Sequence, residues 1–320
     1  MKSGCWFRLP LGLGKFLEEF RFMTWKRVAT ALVLIPVVVG LVLFTPTWVV
    51  AIATAAITVL ALWEYFALGD AIGHRAYRLL TVACSLLMIY LQWRVLRPFA
   101  YLALSPVSVT GGTRPDFTPG INSLSAMYSV GAIFFLFVLG LMVFILWTRR
   151  PIVEALPAAG ISSSAFLLVA FPLSYGVRLH GLRNDGPKLL LFALVLTWAG
   201  DTTAYFVGRS LGKHALAPHL SPKKTWEGTV GSMIGSLIVA YVFSFWLRIP
   251  LLHLLAMAAV GNIAGQMGDL LESAYKRSAG VKDSGGLLPG HGGVLDRIDA
   301  LILCIPAVWY YLVLVNPPIS

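Results

Sequence analysis

Long apolar runs are the feature that most constrains the fold of this 320-residue chain. In a helix, about 20 apolar residues cross the hydrocarbon core of a bilayer. The third run is short, and the fifth contains several serines and Pro172. The sequence therefore predicts an all-α, polytopic integral membrane protein with about nine transmembrane helices, at 28–44, 48–68, 79–93, 127–147, 157–177, 189–207, 229–247, 251–268 and 298–315.

The charged residues support this class and argue against a nucleic-acid partner. Only 12% of the residues are charged, against about 25% in a soluble domain. The net charge of +11 is scattered between the apolar runs and forms no patch with aromatic side chains for base stacking. Placing the amino terminus in the cytoplasm puts most of the 25 Lys and Arg residues on the cytoplasmic side, as is usual for membrane proteins. Since no organelle signal is evident, we expect a bacterial inner membrane, with the endoplasmic reticulum or an organelle as the alternative.

One stretch between the last two apolar runs, 269–299, is dense in charge. Asp269, Glu272, Ser273 and Lys276 follow the i, i+3, i+4, i+7 spacing of one helix face. Five of the nine residues from 285 to 293 are glycine, which indicates a loop whose backbone can approach a ligand closely. The other charged or titratable residues of the stretch are Arg277, Lys282, Asp283, His291, Asp296, Arg297 and Asp299.

These residue types suit a site for a metal ion and phosphate groups. Mg²⁺ prefers oxygen ligands and usually takes one or two carboxylates together with substrate phosphates. Lys, Arg and the amides of glycine-rich loops are the usual partners of phosphate. From composition and spacing alone, a solvated, salt-bridged connection between two membrane helices is an equal alternative.

Further charged positions stand out within or beside the apolar runs. Asp201 falls in the sixth run, where a carboxylate is a functional candidate by default; the alternative is a structural partner for a hydroxyl or for Arg209. Lys223 and Lys224, in SPKKTWEG at 221–228, suit a triphosphate or simply anchor a cytoplasmic connection. For Glu64, in the second run, we expect a hydrogen-bonded structural role, with contact to a lipid headgroup as the alternative.

The charged stretch also contains an ordered motif. From Ser273 to Asp299 the residues follow S-x-x-K-R-x4-K-D-x7-H-G-G-x2-D-R-x-D. This motif resembles the signature of the phosphatidate cytidylyltransferases, also called CDP-diacylglycerol synthases. The segment 221–228 is similar to a second segment of that family, and near Asp201 this chain has Thr203 where the family has glycine. The specific resemblance covers roughly residues 201–299.

The resemblance implies a cytoplasm-facing active site that converts CTP and phosphatidate into CDP-diacylglycerol and pyrophosphate. It implies Mg²⁺ held by Asp269 and Asp296, and it leaves a second cation and a homodimer open. The expected partners are CTP, phosphatidate and membrane lipid. The implied catalytic residues are Asp269, Asp296, Lys276, Arg277 and His291, and the implied substrate-binding residues are Lys223, Lys224, Lys282, Arg297, Ser273 and Asp201.

Other residues of the stretch receive supporting roles or none. We expect Glu272 and Asp299 to brace Arg297, Lys276 or a metal-bound water, and Asp283 has no assigned role. The chain divides into a cytoplasmic segment, 1–27, which suits an interfacial helix; transmembrane helices, 28–200; and a catalytic transmembrane region, 201–320.

Two other functions remain compatible with the sequence. A CTP-dependent lipid kinase of the polyprenol type would transfer the terminal phosphoryl group and release CDP. An ion transporter would also place carboxylates in membrane helices. Against transport, the charges cluster at one face, and no inverted repeat is visible in the sequence.

Overall fold

The computed structural model describes residues 34–95, 121–148, 151–182, 185–286 and 292–315. A two-stranded antiparallel hairpin, β1 (Ala215–Ala217) and β2 (Ser221–Thr225), is inserted between two helices and was not predicted. The rest of the regular structure is helical, which confirms the all-α class. The helices are α1 (Leu34–Phe44), α2 (Thr47–Ala71), α3 (Arg78–Val95), α4 (Ile121–Trp147), α5 (Ile152–His180), α6 (Gly186–Leu211), α7 (Trp226–Phe243), α8 (Leu251–Ser278) and α9 (Leu295–Val315).

Seven helices of the described ranges, α2 and α4 to α9, are long and apolar enough to cross a membrane. Large apolar side chains such as Phe135, Trp147 and Leu252 are exposed on them, and extensive exposed apolar surface marks contact with lipid or another protein. These features fit an integral membrane protein. The shorter α1 and the helix α3, at the first and third predicted spans, are not among the seven, so the count of about nine stays a prediction.

The fifth predicted span is a continuous helical segment with one wide turn. Residues Phe166–Ala170 form a π-helical turn directly before Pro172. Proline has no N–H and its ring crowds the preceding turn, so a local change from α-helical hydrogen bonding accommodates it. The proline therefore does not end the span, which continues to His180.

The last four helices pack in sequence, α6 on α7, α7 on α8 and α8 on α9. Gly268 allows a close approach of α8 and α9, because a Cβ atom there would lie 2.5 Å from the carbonyl oxygen of Asp299. Between α7 and α8, the buried Asn262 amide donates to the hydroxyls of Ser232 and Ser236 at 2.8 Å each. These contacts bring the carboxyl end of α8 beside the amino end of α9.

The amino-terminal helices contact this group directly. Helix α2 contacts α9, and Tyr65 of α2 lies against Tyr275 of α8 with ring centroids 5.5 Å apart. Of the predicted segments, 1–27 lies outside the described residues. The boundary predicted after residue 200 falls inside the unbroken α6, and the division itself stays a prediction.

Candidate active site

Three carboxylates converge where α8 passes α9. Asp269, Glu272 and Asp299 each offer a carboxylate oxygen, and these oxygens lie within 4.8 Å of one another. The first two are one helical turn apart on α8, and Asp299 lies in the first turns of α9. Glu272 is 5% exposed, so its negative charge is largely removed from solvent. Three carboxylates this close repel one another unless nearby cations compensate their negative charge.

Two lysines pair with carboxylates of this group. The Lys224 Nζ, on β2, lies 2.5 Å from Oδ2 of Asp269. The Lys276 Nζ forms ion pairs with Glu272, one turn earlier on α8, and with Asp296 at 2.6 Å. Both lysines are largely shielded, since their side chains are 26% and 12% exposed. They offset part of the negative charge and leave carboxylate oxygens available.

Asp296 has a different environment from Asp269, although the resemblance pairs them as metal ligands. Its Oδ2 accepts backbone hydrogen bonds from Ser284 at 3.0 Å and Gly293 at 2.8 Å, and its Oδ1 accepts from Lys276. Gly292 has a φ of 78°, and a Cβ there would lie 2.8 Å from the same carboxylate. Asp296 therefore holds the charged loop onto α9, while Glu272 and Asp299 are the carboxylates that join Asp269.

The β-hairpin explains how Lys223 and Lys224 come to α8. Thr225 ends the hairpin and caps α7, its hydroxyl accepting from the Gly228 amide at 3.1 Å. Glu227, the nearest acidic neighbour in sequence, pairs with His214 at 2.7 Å and does not neutralise the lysines. Lys224 turns toward Asp269, whereas Lys223 is exposed at the edge.

Asp201 lies near this group. Its main electrostatic neighbours are Asp269, Lys224 and Arg297, which are other predicted site residues. Arg209, its alternative partner, donates to the Tyr205 hydroxyl instead. Thr203, where the family has glycine, leaves α6 unbroken: its hydroxyl donates to the carbonyls of Ala199 and Gly200, at 2.8 and 3.0 Å. The departure at this position does not change the helical backbone.

The remaining predicted site residues that the structure describes are more exposed than Glu272. Arg277 donates to the carbonyls of Leu220 and Val281, at 3.3 and 3.2 Å, and so ties the end of α8 to the hairpin. Ser273 is half-buried next to Glu272, while Lys282, Asp283 and Arg297 are exposed. His291 lies outside the described residues.

A cavity of about 740 Å³ opens where α2 and α4 end and α3 begins. Arg75, Arg78 and Thr148 are among its lining residues, and none of the predicted site residues lines it. Arg78 is already paired with Asp70. The carboxylate group of α8 and α9, rather than this cavity, is the candidate active site.

Glu64 makes long-range hydrogen bonds that the sequence did not indicate. Glu64 of α2 is 3% exposed, and its carboxylate accepts hydrogen bonds from Ser284, Val294 and Leu295. The structural role expected for it is therefore observed, although its partners lie more than 200 residues away along the chain. No local spacing could have identified them.

Comparison with known proteins identifies the family of the chain. The model of the family described as "Cytidylyltransferase family" matches residues 25–315. Proteins named phosphatidate cytidylyltransferase are similar over shorter regions: that of Bacillus subtilis is 40% identical over 157 residues, 48% of this chain and 58% of the relative. That of Haemophilus influenzae is 40% identical over 176 residues, 52% and 59% of the two chains.

A third relative, from Staphylococcus saprophyticus, bears the same name and is 48% identical over 130 residues, 40% of this chain and 50% of the relative. The chain thus spans between 50% and 59% of the length of these curated relatives. The family model, in contrast, covers most of the chain and all the described carboxylates of the candidate site. This chain belongs to the cytidylyltransferase family.

Proposed function

We propose that the chain transfers the cytidylyl group of CTP to phosphatidate, giving CDP-diacylglycerol and pyrophosphate. The observation that carries the proposal is the group of Asp269, Glu272 and Asp299, flanked by Lys224 and Lys276 at the end of two apolar helices. Family membership and the names of the relatives support it. A polar site of this kind inside an apolar helical bundle suits one water-soluble and one lipid substrate.

The reaction makes modest demands on acid–base chemistry. An oxygen of the phosphatidate phosphomonoester attacks the α-phosphorus of CTP, and the bond from that phosphorus to the bridging oxygen of the β-phosphate breaks. The electron pair of the broken bond leaves with pyrophosphate. Because the attacking oxygen is already anionic near neutral pH, no general base is required. The protein must instead hold two anions together and offset the charge on the leaving group.

The residues of the site fit a hard divalent cation such as Mg²⁺. The oxygens of the three carboxylates lie within 4.8 Å of one another, and the buried carboxylate of Glu272 has Lys276 as its ion-pair partner. We therefore propose Asp269, Glu272 and Asp299 as the residues that hold the ion, with a second cation left open. When bound, such an ion offsets charge on phosphate groups. In this proposal Asp296 orders the loop, rather than holding the ion as the resemblance implies.

Different basic residues would bind different phosphate groups of the two substrates. Lys224, beside Asp269, and Lys276, beside Glu272, are the most shielded and would face the reacting phosphates. The more exposed cations and the glycine loop would hold the outer phosphates of CTP or the lipid headgroup; they are Lys223, Arg277, Lys282, Arg297 and His291. CTP would enter from the cytoplasm and phosphatidate from the bilayer, in a bacterial inner membrane with the amino terminus inside.

The experiment that tests the reaction is label transfer by the purified protein in mixed micelles of detergent and phosphatidate. With CTP labelled at the α-phosphorus, label should move to the lipid product, and with CTP labelled at the γ-phosphorus it should appear in pyrophosphate. A γ-label in lipid, with a polyprenol-type alcohol as acceptor, would establish a kinase instead. If neither label moved in folded protein, the enzymatic proposal would be wrong and ion transport would be tested next.

A further inference from the structure

Glu64 links an amino-terminal helix to the charged loop of the candidate site. It lies well inside α2 and is 3% exposed. Burial of a carboxylate costs free energy unless hydrogen bonds or charges stabilise it, so the partners of Glu64 indicate its role. All the hydrogen bonds that the structure gives it come from residues 284–295, on the far side of the sequence.

The carboxylate of Glu64 caps the amino terminus of α9. Its Oε1 accepts from the Val294 amide at 2.9 Å, and its Oε2 accepts from the Leu295 amide at 2.8 Å. Leu295 is the first residue of α9, where backbone N–H groups lack helical partners and the helix dipole favours a negative charge. The cap therefore comes from another helix rather than from the residues just before α9.

The loop is shaped to receive this side chain. Ser284 donates its hydroxyl to Oε2 of Glu64 at 3.2 Å. A Cβ atom on Gly293 would lie 2.4 Å from the same oxygen, and one on Gly285 would lie 2.7 Å from Oε1. Gly293 of the motif and Gly285 of the loop thus make room for Glu64, which gives them a role besides approach to a ligand.

The same loop residues bind Asp296 on their other side. The amides of Ser284 and Gly293 donate to Asp296, which in turn binds Lys276, the partner of Glu272. A displacement of the loop would therefore move Asp296 and Lys276 relative to the three carboxylates. Glu64 bonds none of the carboxylates or basic side chains proposed to meet substrate or metal, so it acts on them through the loop.

We propose that Glu64 is a positioning residue, whose contact with the Ser284 hydroxyl and the Val294 and Leu295 amides holds the loop and the start of α9 in the arrangement needed for catalysis. This role rests on the proposed cytidylyl transfer. Glu64→Gln is the informative change, because glutamine has one acceptor oxygen and directs an NH₂ group at a backbone N–H donor. The shape of the side chain is nearly unchanged.

The test combines a structural and a kinetic measurement on the full-length protein in detergent. Hydrogen exchange by mass spectrometry follows the amides of residues 292–300, and pyrophosphate release follows turnover per folded protein. For Glu64→Gln we expect at least about tenfold faster exchange at Val294 and Leu295, and turnover lower by about 10–100-fold, as for other residues that orient a site. The Mg²⁺ concentration for half-maximal rate should also rise.

The control is Gln92→Leu, which removes a different buried polar group. Gln92 is 2% exposed on α3 and bonds Ser174 and Arg178, away from the charged loop. This variant should lose some thermal stability. Because Gln92 does not touch the site, turnover per folded protein and the Mg²⁺ dependence should stay within about twofold of the wild type. A general stability effect and a positioning effect are thereby separated.

Three results would count against one proposal or the other. Unchanged exchange at residues 292–300 in Glu64→Gln would overturn the anchoring contact. Faster exchange with wild-type turnover and wild-type Mg²⁺ dependence would overturn the positioning role. An inactive but folded wild-type protein would instead contradict the proposed function, while the exchange measurement would still decide the contact.

Discussion

At the scale of single residues, the two adjacent lysines of the hairpin have different environments. Lys224 is paired with Asp269 at 2.5 Å, whereas Lys223 is exposed. Adjacent positions of a strand point to opposite faces, so only one of the pair can turn toward α8. The sequence predicted a phosphate-binding lysine pair, and the structure distinguishes the member that lies at the carboxylates.

Lys224→Ala should therefore impair the use of CTP more than removal of another positive charge between α6 and α7 does. We expect the KM for CTP to rise by about 10–100-fold, because a charged hydrogen bond to phosphate contributes about 1.5–3 kcal/mol. Steady-state kinetics in phosphatidate micelles measure this change. Lys213→Ala, at an exposed position before the hairpin, is the matched control and should stay near the wild type. Equal effects of the two changes would indicate only a general electrostatic contribution.

The two aspartates that the resemblance pairs should also behave differently. Asp269→Asn removes a member of the converging carboxylate group, so we expect a large rise in the Mg²⁺ concentration that gives half-maximal rate. Asp296→Asn weakens contacts to Lys276 and two loop amides, so we expect lower turnover with a smaller change in Mg²⁺ dependence. A larger metal effect for Asp296→Asn would restore that residue as a ligand.

At the scale of elements, the close crossing of α8 and α9 sets the distance between carboxylates. Gly268→Ala would place a Cβ 2.5 Å from the Asp299 carbonyl, so the helices must separate. We expect a loss of about 1–3 kcal/mol in the free energy of unfolding, as for other overpacked sites, together with a loss of activity. Thermal unfolding and pyrophosphate release measure the two effects.

Gly160→Ala on α5 is the matched helical control. A Cβ there meets no atom within 4 Å, so the change should be neutral or slightly stabilising, because alanine is the better helix former. If Gly268→Ala were as well tolerated as Gly160→Ala, the close crossing would not be required for function.

The elements also show what the sequence could predict and what it could not. Apolar runs long enough to span a membrane are a local signal, and seven of the predicted spans are helices of the required length and hydropathy. The i, i+3 spacing correctly placed Asp269 and Glu272 on one face, but which carboxylates of α9 face them depends on how the helices cross. The contact of Glu64 with Ser284 and Leu295 depends on tertiary packing alone, and so no local pattern contained it.

At the scale of the whole molecule, both charged connections lie at one end of the helix bundle. Lys224 reaches Asp269, and Arg277 reaches the Leu220 carbonyl, so the α6–α7 and α8–α9 connections meet in space. The α7–α8 connection, which contains Arg248, should then lie at the opposite end, because α7 and α8 are each long enough to cross a membrane.

This arrangement predicts which positions a membrane-impermeant thiol reagent can reach. In a background without native cysteines, Lys213→Cys and Lys282→Cys should be labelled from the same side of the membrane, and Arg248→Cys only from the other. Labelling of intact cells and of inverted vesicles distinguishes the two sides. The proposed cytoplasmic site requires the first two to react in inverted vesicles, and labelling of either one in intact cells would contradict that orientation.

Asp299→Asn tests whether the carboxylates of α8 and α9 form the proposed metal-dependent site for cytidylyl transfer. The measurement is phosphatidate-dependent pyrophosphate release from CTP as a function of Mg²⁺, with Asp185→Asn as the control, since that carboxylate pairs with Lys188 at the start of α6. In the wild type and the control, we predict lipid-dependent pyrophosphate release that EDTA abolishes. In Asp299→Asn, we predict that this release is nearly lost, or that it returns only at much higher Mg²⁺ concentrations. Wild-type turnover and metal dependence in folded Asp299→Asn would contradict the account.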